Sequence, residues 1–141
     1  MIYGGTLFEK AALDKMLADA EVLSSLGDTM MKTIQEIDAE AAVKRYRELK
    51  AANPAAYRYT ESELVALGYA LLSGKKVEDA IAVFKLSVDE YPRSYNTWDS
   101  LAEAYMNHGD KALAIQDYKK SLELNPANAN ATKMLEKLGA P

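Results

Sequence analysis

The chain repeats itself at an interval of 34 residues. When residues 61–94 are laid over residues 95–128 without a gap, the same residue type recurs at several positions: Leu67 and Leu101, Ala70 and Ala104, Ala80 and Ala114, Ile81 and Ile115, Lys85 and Lys119, Ser87 and Ser121, Pro92 and Pro126. Bulky residues also coincide, Leu64 with Trp98 and Phe84 with Tyr118. A fixed interval of this size indicates an array of similar units stacked in a row.

Each copy of the repeat has the pattern of two helices. Apolar residues spaced three and four apart form one stripe in the second half of the first copy, at Val77, Ala80, Ile81, Phe84, Val88 and Tyr91. The breaks fall at residues 74–76 and 108–110, where we expect Gly74 and Gly109 to take the left-handed turn that ends a helix. Ser94 and Asn128 are candidate N-caps, and residues 129–138 predict a terminal helix.

The second copy carries a specific set of large and small residues: Trp98, Leu101, Ala102, Tyr105, Ala114, Tyr118, Ser121 and Pro126. This set resembles the tetratricopeptide-repeat (TPR) family, and the first copy differs mildly, with Leu71 in place of an aromatic residue. The resemblance implies an all-α, TPR-type helix-turn-helix solenoid. We expect about two full repeats (61–94 and 95–128), a degenerate N-terminal half repeat and a C-terminal capping helix.

The repeat is weaker in residues 1–58. Ala42, Tyr46, Leu49 and Pro54 have the spacing of the second helix of a repeat, whereas residues 55–59 add four residues to the interval and are expected to loosen the stacking. Further upstream, an apolar stripe predicts one helix at Leu13, Met16, Leu17, Ala20 and Leu23, and another at Met30, Ile34 and Ile37. We expect residues 1–58 and 59–141 to form one continuous domain.

Residues 59–138, notably 90–94, 98–105 and 121–126, are similar to the C-terminal TPR extension of some bacterial beta-lactamase-related serine hydrolases and esterases, and residues 2–4 look like the exit from such a domain. The hydrolase chemistry itself is missing. Ser73 to Lys76 matches S-x-x-K and Tyr105 to Asn107 matches Y-x-N, but no K-T-G follows. We therefore predict no catalytic residues and no enzyme activity.

Composition narrows the possible partners. The formal net charge is -4, with 21 acidic and 17 basic residues spread along the chain, so no basic face for nucleic acid is evident. There is no cysteine and one histidine, His108, so we expect no cofactor and no metal site. The apolar stretch Met1 to Phe8 is too short for a signal or membrane span, which leaves cytoplasm and periplasm both open.

In a TPR array the first helix of each pair lines the concave groove, so the exposed positions of those helices are the candidate binding residues. They are Ser62, Val65, Tyr69, Leu72, Asn96, Asp99, Glu103, Met106, Asn130, Lys133 and Lys137. The groove would be apolar at one end, acidic in the middle and basic at the far end, which favours an extended or helical peptide. Some TPR domains bind the C-terminal carboxylate of a partner through Lys and Asn at the positions that Val65 and Tyr69 occupy here. We therefore do not expect this chain to bind a carboxylate in that way. Alternatively, Tyr69 and Leu72 only pack on neighbouring parts of the chain.

A second candidate surface lies on the second helices. Val83 and Leu86 correspond to Asp117 and Lys120 one repeat later, so we expect something to cover the apolar pair. Either the N-terminal helices pack there, or the pair forms a homodimer or parent-domain interface. The leading function is thus a protein-protein interaction module that binds a peptide or partner domain through the groove. The alternative is self-association or a structural extension of a larger hydrolase.

Overall fold

A computed structural model describes residues 10–13 and 25–141 of the chain. Residues 10–13 are helical, and the rest of the helix predicted over residues 13–23, like the segment 2–4, lies outside the described residues. Residues 25–141 form seven helices and no strand. They are α1 (Leu26–Glu36), α2 (Ala39–Ala52), α3 (Glu61–Ser73), α4 (Val77–Glu90), α5 (Tyr95–His108), α6 (Lys111–Leu124) and α7 (Ala129–Lys137).

The helices stack as hairpins in two layers. Helices α1 and α2, α3 and α4, and α5 and α6 pack as pairs, and α7 packs on α6. The first helices are neighbours in the order α1, α3, α5, while α2 lies against α4 in the other layer. This arrangement confirms the predicted helical solenoid. It also shows that the degenerate N-terminal half repeat has its own first helix, since α1 pairs with α2 as α3 pairs with α4.

Large side chains of the second helices fill the space between the layers. Tyr46, Phe84 and Tyr118 are at most 1% exposed. A Cβ atom added to Gly68 would lie 2.3 Å from Cε1 of Phe84, so no larger residue fits where α3 and α4 cross. Helices α3 and α4 therefore approach each other closely at this small residue.

Helix ends agree in part with the expected caps. Gly109 has the left-handed conformation (φ 94°), as expected. Gly74 does not, because its φ is -78° and the following Lys75 takes the positive φ of 62° instead. The carboxamide of Asn128 accepts a hydrogen bond from the Ala131 amide, whereas Ser94 stands at the N-cap position without a capping bond.

The four inserted residues fall between α2 and α3, and these two helices touch far less than α4 and α5, the equivalent pair one repeat later. The Tyr59 ring packs edge-on against Tyr46 of α2, with centroids 5.5 Å apart, and against Tyr57 at 6.0 Å. The Tyr91 hydroxyl, at the end of α4, donates to the Tyr59 carbonyl at 2.8 Å. The Thr29 hydroxyl of α1 lies 3.3 Å from the Tyr57 hydroxyl. The direct contact between α2 and α3 is therefore weaker, as expected, and two aromatic rings fill the extra space.

The apolar pair on the second helices is also inside the chain. Val83 and Leu86 are 0% and 1% exposed, so they do not form an outer interface. Tyr46 and Lys50 of α2 both hydrogen-bond Glu90, at 3.2 Å for Tyr46. Leu86 and Val83 lie one and two turns before Glu90 on the same side of α4, so α2 covers them. Of the two explanations given above, packing of the N-terminal helices is correct.

Candidate functional site

The exposed sides of α1, α3, α5 and α7 form what we call the first-helix face. It contains an open cleft of about 560 Å³ at the start of α3, lined by Thr60, Glu61, Ser62, Val65, Ala66 and Asn96. A smaller crevice of about 220 Å³ separates α1 from α3, and Ala66 lines both. The two hollows therefore adjoin on one surface.

The candidate residues on this face differ in exposure. Val65, Tyr69, Leu72, Asp99, Glu103 and Met106 are half-buried, whereas Ser62, Asn96, Asn130, Lys133 and Lys137 are exposed. Three of them, Ser62, Val65 and Asn96, line the cleft itself.

Tyr69 joins α3 to α5. Its hydroxyl donates to Oε2 of Glu103 at 2.8 Å and lies 3.1 Å from the Ser100 hydroxyl. Its ring packs edge-on against Phe84, with centroids 5.2 Å apart. Burial is the main cause that raises the pKa of Tyr69 to about 12. The hydrogen bond with Ser100 lowers this pKa, and the hydrogen bond to Glu103 raises it. Tyr69 thus packs between the repeats, as the alternative reading expected, while it also holds Glu103 in place.

Glu61 closes the side of the cleft that faces α5. Its Oε1 accepts from the Ser94 hydroxyl at 2.8 Å and from the Asn96 amide at 3.4 Å. Sequence reasoning did not select Glu61, Ala66 or Ser94. The repeat interval held the signal, because Asn96 lies one position further along its repeat than Glu61, and neighbouring first helices place such positions side by side.

Asp99 joins α5 to α7 in a similar way. Its two carboxylate oxygens accept from the amide groups of Asn128, at 3.0 Å, and Asn130, at 2.9 Å. The structure therefore links Asn130 to the acidic middle of the face. Lys133 and Lys137 lie further along α7 and are exposed.

The residues of the two hydrolase-like motifs lie at helix ends or in the interior of the chain. Ser73 is the exposed last residue of α3, Lys76 is the N-cap of α4, and Tyr105 is 7% exposed. His108 Nδ1 lies 2.7 Å from a carboxylate oxygen of Asp110, a hydrogen bond that raises the pKa of the imidazole. Its other nitrogen lies 3.7 Å from Glu78, so His108 ties the end of α5 to the start of α4.

Within residues 10–13 and 25–141, no three histidine or carboxylate side chains are grouped so that they could hold a metal ion. None of the helices in the described part of the chain has the length and apolar character needed to cross a membrane.

The described part of the chain is an all-α helical solenoid, and two segments of it match a known repeat. Residues 64–94 and residues 95–128 each match a tetratricopeptide repeat model. The second segment coincides with the repeat copy 95–128, and the first lies within the copy 61–94. The similarity to the hydrolase extension stays a prediction.

Solved structures with the same fold include two domains of one protein. The first TPR of Spaghetti (RPAP3), bound to the HSP90 peptide SRMEEVD, has a TM-score of 0.56 at 23% identity, covering 81% of this chain and 87% of that one. The second TPR domain of human RPAP3, in complex with the HSP70 peptide SGPTIEEVD, has a TM-score of 0.57 at 21% identity, covering 83% and 94%. MamA has a TM-score of 0.54 at 23% identity, covering 76% and 60%.

Among curated proteins, the chain is similar to Superkiller complex protein 3 of Homo sapiens and of Mus musculus. In both cases the identity is 34% over 58 residues, which is 41% of this chain. The chain spans only 4% of the length of these relatives, so the similarity concerns a short stretch of a much longer protein.

Proposed function

We propose that the chain is a protein-interaction module whose first-helix face binds an extended or helical segment of another polypeptide. The observation that carries this proposal is the cleft beside α3, about 560 Å³ in volume, open to solvent and flanked by half-buried Val65. Concave surfaces with an apolar lining and a few fixed polar groups are where polypeptide segments and small ligands bind.

The polar groups of the face are held in place before any partner arrives. The hydrogen bonds of Tyr69 to Glu103, of Ser94 to Glu61 and of Asn130 to Asp99 all join different helices or repeats. Side chains ordered in this way lose little conformational freedom on binding, which favours affinity. Two structures of the same fold carry short peptides, which supports a peptide as the ligand class here.

The test is a selection from a random peptide library on the immobilised full chain, followed by affinity measurements with the selected peptides. Ala66→Trp should abolish binding, because Ala66 is exposed and lines both hollows, so that an indole there occupies them. Ser62→Trp, at another exposed position of the cleft, should act in the same direction.

The matched control is Ala112→Trp, which places the same side chain at an exposed position of α6, a second helix. It should leave binding unchanged. Circular dichroism of all three variants establishes that the helices are intact. Selected peptides that bind Ala66→Trp and Ser62→Trp as tightly as the unaltered chain would rule out the cleft.

The alternative functions have less support. Self-association through Val83 and Leu86 is not proposed, because both side chains are buried within the chain. Attachment to a hydrolase domain remains a prediction from the sequence. Under that prediction too, the first-helix face is the surface that we propose as the binding site.

A further inference from the structure

The two central helices of the first-helix face have charges of one sign. Helices α3 and α5 contain four acidic residues and neither lysine nor arginine. The acids are Glu61, Glu63, Asp99 and Glu103. The second helices α4 and α6, in the opposite layer, have charges of both signs. They contain four lysines and six acidic residues: Lys85, Lys111, Lys119, Lys120, Glu78, Asp79, Asp89, Glu90, Asp117 and Glu123.

The carboxylates on this face are held by neutral donors. Glu103 accepts from a tyrosine hydroxyl, Glu61 from a serine and an asparagine, and Asp99 from two asparagine amides. None of these residues takes part in the ion pairs found within the described segments. Hydrogen bonds from neutral groups orient a carboxylate without cancelling its charge. The negative charge of the face is therefore fixed in position and available to a ligand.

The field of these acids extends into the interior. Burial is the main cause of the raised pKa of Tyr118, and the negative charges of Asp99 and Glu103 raise it further. Low-dielectric walls around a cleft strengthen such a field at its mouth.

Apolar side chains lie between the acids on the same helices. Val65 and Leu72 of α3 and Met106 of α5 are half-buried, so each offers part of its surface to a ligand. A ligand that suits this surface has apolar side chains for the hollows and positive charges for the carboxylates between them.

We propose that the first-helix face selects basic polypeptide segments, in which lysine or arginine alternates with apolar residues. This inference rests on the proposed function, since it specifies the ligand of the same surface. Lysine and arginine suit the site because their apolar stems can cover Val65 and Leu72 while their charged ends reach Glu61 and Glu103. The acidic peptides SRMEEVD and SGPTIEEVD, which accompany two structures of this fold, are expected not to bind.

The experiment compares short fluorescent peptides with one apolar framework and either lysine or glutamate at the remaining positions, alongside SRMEEVD. Anisotropy titrations on the full chain should show binding of the lysine peptide only. That binding should weaken as salt rises from about 0.05 to 0.5 M. Salt screens interactions between exposed charges that lie farther apart than the Debye length, which is about 10 Å at 0.1 M and shortens as salt rises.

The decisive variant is Glu61→Gln combined with Glu103→Gln. Each carboxylate uses a single oxygen in its recorded hydrogen bonds, so the amide oxygen of glutamine can accept the same bonds while the charge is removed. Removing two unit charges that act at close range in a partly screened site should lower the affinity for the lysine peptide by about tenfold or more at low salt.

The matched control is Glu48→Gln combined with Glu123→Gln. These side chains are 66% and 68% exposed on the second helices α2 and α6, and the net charge changes by the same amount. The control should bind the lysine peptide as the unaltered chain does. Equal losses in the two double variants would overturn the proposal, as would equal binding of the lysine and glutamate peptides.

The outcomes separate this inference from the proposed function. If library peptides bind the unaltered chain but not Ala66→Trp, and those peptides are neutral or acidic, the preference for basic segments is wrong while the groove stands. If no library peptide shows that dependence on Ala66, the proposed function fails and the inference fails with it.

Discussion

At the scale of single residues, Asp117 shows how one side chain departs from its repeat. It occupies the position that Val83 has one repeat earlier, and it is only 6% exposed on α6. The sequence suggested a solvated residue there. Burial raises the pKa of Asp117 to about 6, although the positive charge of Lys85 opposes the rise. Val83 and Asp117 are thus buried at equivalent positions, but in the second repeat the buried group is a carboxyl group.

Asp117→Asn should stabilise the chain near neutral pH. As pH rises from about 4 to 6, the unfolded chain ionises this residue before the folded chain does, so the free energy of unfolding falls. A shift of this size corresponds to about 1–3 kcal/mol at 1.36 kcal/mol per pKa unit. The asparagine variant lacks that loss, so its advantage should be largest above pH 6 and vanish by about pH 4.

Urea unfolding followed by circular dichroism at several pH values measures this effect. Asp89→Asn, an exposed position on α4, is the control and should change the free energy of unfolding by less than about 1 kcal/mol. An advantage of Asp117→Asn that is the same at acid and neutral pH would contradict the assignment.

At the scale of the helix and its turn, the end of α3 differs from the end of α5. In the turn after α5, Gly109 takes the left-handed conformation at little cost. After α3 the left-handed residue is Lys75, and its amide donates to the Leu72 carbonyl at 3.0 Å. The preceding Gly74 has an ordinary φ of -78° and does not use its conformational freedom.

Lys75→Gly should therefore raise the free energy of unfolding by about 0.5–1 kcal/mol, because glycine removes the strain of a positive φ in a residue with a Cβ atom. Lys75→Ala is the matched control. Alanine removes the same side chain but keeps a Cβ atom at the positive φ, so that change should bring no such gain. Thermal unfolding should show a rise in stability for Lys75→Gly alone, and a loss of stability in Lys75→Gly would refute the explanation.

At the scale of the whole molecule, the N-terminal helices complete the solenoid. Helix α2 covers the apolar side of α4, and the inserted tyrosines connect α2 to the end of that helix. The chain thus buries Val83 and Leu86 by itself, without a second copy.

Leu86→Asp should accordingly lower the free energy of unfolding by about 3 kcal/mol or more, since it buries an unpaired charge. Leu113→Asp, at a leucine of α6 that is 42% exposed, is the control and should have a small effect. Urea unfolding measures both, and light scattering reports the mass. A Leu86→Asp chain of unaltered stability whose mass is half that of the parent would instead point to an interface between copies.

Much of this architecture follows from the residues alone. Helix pairs and their turns are local, because spacings of three and four residues and the positions of glycine and proline set them. The 34-residue interval then places equivalent helices side by side, which is enough to select the first-helix face and most of its residues. For example, Tyr69 and Glu103 are equivalent positions of successive repeats, and they meet in the structure.

The tertiary structure alone decided what lies over each helix. Whether Val83 and Leu86 face solvent depends on whether α2 covers them, and the weak repeat in residues 26–52 gives little sign of that in the sequence. The sequence places Tyr57 and Tyr59 in an insertion between two helices. Only the tertiary structure shows that they contact Thr29, Tyr46 and Tyr91. Periodicity describes one helix at a time, whereas burial is a property of neighbours that are distant in the chain.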